Sequence, residues 1–110
     1  MAYDERVAQR IRDLVVGDLD VTEKAMFGGL AFLVNGNMSV AASSKGGLMV
    51  RLDEDEAEQL LERESVRPFE MRGKPMKGWL RVDEAGFEDD DELREWVERS
   101  VEYARTLPHK

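Results

Sequence analysis

Apolar residues at the start of the chain recur at spacings of four, four, three and one, through Tyr3, Val7, Ile11, Leu14 and Val15. Asp4, Glu5, Arg6, Gln9, Arg10, Arg12 and Asp13 fill the other faces, and the rhythm predicts an amphipathic helix. Gly17 stands where a left-handed C-terminal cap would fall, and Asp18 to Lys24 reads as a crossing to a sheet. From Met26 to Leu52 the pattern changes to short runs of Val, Leu, Phe and Met, broken by Asn35-Gly36 and by Ser43 to Gly47. Such runs predict a strand meander, and Asn-Gly predicts a type I′ hairpin, because both of its residues tolerate positive φ. Gly28-Gly29 predicts a bulge or a close backbone approach in mid-strand, after which Leu30 to Val34 resumes the strand. Met38, Val40 and Ala42 alternate with Asn37, Ser39 and Ala41, and Leu48 to Leu52 forms a third run.

Asp53 with Glu56 has capping-box spacing, and Ala57, Leu60 and Leu61 give a short second helix its apolar face. Pro68 blocks any continuation, so Pro68 to Met71 and Lys77 to Val82 read as two further strands around Arg72-Gly73-Lys74-Pro75. Asp89 with Glu92 repeats the capping spacing, and Leu93, Trp96, Val97, Ser100, Val101 and Ala104 line one side of a last helix. The expected fold class is therefore α+β: an antiparallel sheet packed with helices in the order α-β3-α-β2-α, one domain over residues 1–110.

Composition narrows what such a domain does. Sixteen Lys and Arg stand against 24 Asp and Glu, a net charge of −8 that disfavours non-specific attraction to polyanions and anionic lipid. The absence of cysteine removes disulfides and thiolate chemistry, and fits a cytoplasmic location. Acids and bases alternate through MAYDERVAQR, which is neither a signal peptide nor an anchor, and no apolar run is long enough to span a bilayer.

Catalytic candidates are poor. The only histidine, His109, lies next to the C-terminus. Ser39, Ser43 and Ser44 near Lys45 could be written as a Ser-Lys pair, but Ser-Ser-Lys-Gly-Gly is ordinary turn composition. The acidic runs at Asp53 to Glu58 and Glu88 to Glu92 lack an EF-hand pattern and are explained by helix starts. Neither glycine pair fits a phosphate-binding loop. No catalytic, cofactor-binding or metal residue is expected, and the chain reads as non-enzymatic.

One segment stands apart. Arg67, Arg72, Lys74, Lys77 and Arg81 fall within fifteen residues that hold a single acid, Glu70, with Phe69 and Trp79 interleaved. These five cations are the candidate partner-binding residues. They suit an acidic protein surface, or nucleic acid if the aromatics stack on bases. In the plainer account the aromatics belong to the core and the cations offset the acidic helix starts. The steady acidity elsewhere favours a protein partner, or self-association, over nucleic acid.

Met26-Phe27-Gly28-Gly29 after a leading helix, Gly47 to Leu52, Arg67 to Met76, and Gly78-Trp79-Leu80-Arg81-Val82 together resemble the TfoX N-terminal domain family, the first domain of the TfoX/Sxy competence regulators. The resemblance spans nearly the whole chain. It implies a secretion-chaperone-like fold, which often pairs into dimers. It also implies a regulatory role connected with transcription and competence, exercised in the two-domain regulators together with a cyclic-AMP-responsive transcription factor. The chain is expected to be that N-terminal domain standing alone. The family brings no catalytic residues to transfer.

Overall fold

The computed structural model describes residues 3–26, 28–71 and 73–109. Helix α1 (Glu5–Val15) leads into strands β1 (Val21–Met26), β2 (Gly29–Val34), β3 (Asn37–Ala42) and β4 (Leu48–Arg51). Helix α2 (Glu54–Leu60), strands β5 (Val66–Met71) and β6 (Lys74–Val82), a single 3-10 turn at Glu84–Gly86 and helix α3 (Asp90–Arg105) complete the chain. The fold is α+β: all six strands form one antiparallel sheet, in the order β1-β2-β3-β4-β6-β5.

Four strands precede α2, not the three expected. The missed strand is β1, whose Thr22, Glu23, Lys24 and Ala25 are all exposed and carry no apolar alternation. An edge strand bonded on one side only can form from such a sequence because β2 supplies a full register, from Val21 opposite Val34 to Met26 opposite Gly29. Gly28-Gly29 is consequently not a mid-strand bulge. Gly28, at φ +77°, lies in the turn between β1 and β2, and a Cβ on Gly29 would stand 2.3 Å from the Ala42 carbonyl oxygen. The close backbone approach is therefore real, but it falls at a hairpin end. The second hairpin is as expected, with Asn35 at φ 51° and Gly36 at φ 85°.

Helix ends follow local chemistry. Asp4, Asp53 and Asp89 each accept a bond from the backbone N–H two residues on, which satisfies one of the orphan donors of the first turn. Glu56 does not close the expected box; it accepts from Arg99 of α3 at 2.7 Å. Nor does Gly17 cap α1 in the left-handed region. The helix ends on right-handed Val16, and the Asp18 N–H donates to the Val15 carbonyl at 2.9 Å.

All three helices lie on one side of the sheet. Alternation sends Leu30, Phe32, Val34, Val40, Ala42, Leu48, Val50, Leu80 and Val82 to that side, where they pack with Val7, Ile11, Ala57, Leu93, Trp96 and Val101. Trp96 is buried whole, and its indole N–H donates to the Gly86 carbonyl at 3.1 Å. Ser100, Ser39 and Asn37 are the polar residues buried among those described, and each is hydrogen-bonded. Ser39 sits where the β2–β3 register shifts and donates to the Phe32 carbonyl at 2.9 Å. It is the extra residue of a bulge there, so Met38 comes to lie opposite Leu33.

Candidate functional site

The opposite face of the sheet carries no described helix. Its floor is Ala31, Met38, Ala41 and Met49, ringed by half-buried Met26, Leu33, Phe69 and Trp79. These residues form an apolar cluster separate from the main core, and they bury one another without a covering layer. Phe69 and Trp79 belong to it, their ring centroids 6.4 Å apart and tilted by 43°. They are neither deep core residues nor free stacking platforms. A trough of about 850 Å³ crosses this face. Met26 of β1, Ala41 of β3, Met49 of β4, Arg81 of β6 and Phe69 of β5 all line it, so the bare face is concave from one edge of the sheet to the other.

Cations collect on this side. Lys24 stands opposite Ala31, Arg51 opposite Trp79, and Arg67 opposite Arg81, while Lys45 projects from the turn between β3 and β4. Like charges directly across a ladder repel, and the Arg67–Arg81 pair is relieved in two ways. Arg67 Nε reaches Asp83 at 3.2 Å, and Arg81 Nη2 donates to the carbonyls of Lys45 and Gly46 at 3.1 and 3.2 Å. Arg51, at the end of β4, places its guanidinium 5.3 Å from the Trp79 ring centroid and 5.9 Å from that of Tyr103 of α3, so it sits at the margin between the two faces and outside the trough.

The helical side treats its cations differently. Arg6, Arg10, Arg12, Arg63, Arg94, Arg99 and Arg105 each have a carboxylate within 4 Å. Hydrogen bonds from Arg105 hold the Asp20 carboxyl below its ordinary range. Burial alone would raise the Glu95 carboxyl, but the guanidiniums of Arg63 and Arg99 outweigh it and bring the net shift below the usual value. On the bare side, among the described residues, only Arg67 has a carboxylate partner.

The five sequence candidates are therefore divided. Arg67 and Arg81 line the trough. Lys77 lies instead in a second depression, about 560 Å³, with Glu54, Asp55 and Glu58 of α2, and Lys74 is exposed near the hairpin end. Arg72 lies outside the described residues. The sheet separates the candidates because Gly78, at φ +83°, interrupts β6 between Lys77 and Trp79, where the β5–β6 register shifts. Lys24, Lys45 and Arg51 were not among the candidates. Only strand pairing brings them to one face, and no spacing in the sequence signals it.

Ser43 and the acidic helix starts make turn and cap bonds. The Ser43 hydroxyl accepts from the Lys45 N–H at 3.2 Å, an ordinary turn bond. Among the described residues no group of three or more His, Asp or Glu is arranged to hold a metal ion, and no helix is long and apolar enough to cross a membrane.

The trough lies within a recognisable domain. A family model described as the TfoX N-terminal domain matches residues 16–104, most of the chain. No curated protein matches it.

Proposed function

Because the chain belongs to the TfoX N-terminal domain family, we propose that it is a non-enzymatic, cytoplasmic regulatory module, acting in transcription- or competence-related control by presenting the bare face of its sheet to a protein partner. One observation carries this reading: the apolar floor of Ala41 and Met49 is left without a helix, and of the cations that border it Lys45 and Arg81 lack a carboxylate partner among the described residues, while Arg67 has Asp83. Half-buried apolar side chains such as Met26 and Phe69 beside unneutralised charge are what an interface core and its rim require. Self-pairing through this face would set like charges against each other, so a different protein fits better than a second copy.

A photo-crosslinking side chain tests the reading. Placed at Leu33, it is expected to trap a protein in the producing cell; placed at Glu98 on α3, it is expected to trap none. Equal trapping from both positions, or trapping from Glu98 alone, would sink the assignment of the face.

Nucleic acid is the second reading, favoured by the cations Lys45, Arg67 and Arg81 that line the trough beside half-buried Phe69. It requires binding that weakens steeply as salt rises, and Lys45→Glu with Arg67→Glu should abolish it. A chain of net charge −8 resists this mode away from the trough.

A further inference from the structure

Taking the bare face as the working surface, as proposed above, we infer that its occupant is an extended acidic segment of a partner protein, with an apolar centre and carboxylates at both ends. The distribution of charge points to this chemistry. At one end of the trough stand Lys45, Arg67 and Arg81, and at the opposite edge of the same face stands Lys24 on β1. Between them lie Ala41 and Met49. Two carboxylates share the rim, Glu70 and Asp83, but Asp83 is held by Arg67. Lys24, Lys45 and Arg81 have no carboxylate partner among the described residues, although every arginine of the helical side has one. A carboxylate brought by a partner would supply what the chain itself does not.

Length and shape exclude a compact ligand. Six strands span five gaps, roughly 24 Å at ~4.8 Å each, which matches about seven extended residues. The trough is open along this line, whereas a small ligand needs a cleft that encloses most of its surface. Methionine suits the floor for the same reason, since its unbranched thioether adapts to varied apolar side chains. Met26 and Met49 are both in place to do so.

The test is a titration of the full chain with a fluorescein-labelled heptapeptide, three leucines flanked on each side by two glutamates. Anisotropy reads binding, and Trp79, whose ring lies 6.4 Å from that of the trough-lining Phe69, reads by its emission where binding occurs. The acidic peptide is expected to bind, to change Trp79 emission, and to weaken as salt rises. Replacing its glutamates by glutamines, or introducing Lys24→Glu with Lys45→Glu in the protein, is expected to weaken it by about tenfold or more. Trp79→Phe removes the emission change. Equal or tighter binding of the glutamine or a lysine version, still reported by Trp79, would overturn the acidic chemistry while leaving the face intact. Tighter binding of a single-stranded oligonucleotide would assign the face to nucleic acid. If no peptide binds while the Leu33 crosslinker still traps a protein, the inference fails and the face assignment stands. If peptide binds without any response from Trp79, both fail.

Discussion

The two faces of the sheet are built from the same strands and yet differ in every physical respect. Toward the helices the strands present Leu, Val and Phe, packed without exposure beneath Trp96 and Ile11. On the other face they present Ala and Met, buried among larger side chains that are themselves only half-buried at the margin. The helical side neutralises its arginines with its own carboxylates, and the bare side leaves most of its cations to rings, carbonyls or water. Under the proposed function, stability and recognition thus fall on opposite surfaces. A sheet can do this because alternate residues along a strand never share a face.

The largest test of that division is truncation. Phe32→Ala on the covered face should cost about 3–5 kcal/mol, because it opens a closed cavity. Met49→Ala on the bare face should cost about 2 kcal/mol or less, since the vacated space joins the trough and admits water. Denaturant titration of both variants decides the point, and equal losses would mean that the two faces are packed alike.

Gly29→Ala comes next. Its Cβ would meet the Ala42 carbonyl oxygen, which is backbone and cannot swing away. We expect a loss of about 1–3 kcal/mol and displacement of the β1–β2 hairpin, visible as faster amide exchange in β1. Unchanged exchange in β1 would contradict the packing described here.

Acid should loosen the helical side first. Asp20 and Glu95 have folded-state pKa values below their ordinary ones. Their contribution is present above about pH 5 and is lost as pH falls through the lowered folded values. For Glu95 the loss stays below about 1 kcal/mol, because its ion pairs are solvent-screened. Chemical shifts of α3 should move in this range before those of β4 and β6; simultaneous movement would argue against separate charge systems.

Smallest of all is the stability effect of Lys24→Glu with Lys45→Glu, expected within about 0.5 kcal/mol. A larger loss in a thermal melt would mean that these lysines support the fold and are not held in reserve for a partner.

Much of the covered face was legible in the sequence. The stripe through Val7, Ile11 and Val15, the Asn35-Gly36 hairpin and the apolar side of α3 all announce themselves by period or by turn chemistry. Strand β1 was not legible, because an edge strand exposed on both faces needs no apolar alternation. The bare face was half legible. Arg67 and Arg81 stood out as neighbours in a basic segment, but Lys24, Lys45 and Arg51 are scattered along the chain and converge only through registers such as Arg51 with Trp79 and Lys24 with Ala31. Proximity in sequence also overstated the cluster, since Lys77 lines a different depression from Arg67 and Arg81.

Methyl NMR of the full chain during titration with the acidic heptapeptide distinguishes recognition at the bare face from binding elsewhere. The methyls of Met26, Met38 and Met49 should shift, while those of Leu93, Val97 and Val101 beneath the helices stay still. Shifts confined to the helical core, or to the surface of α3, would contradict the assignment of recognition to the bare face.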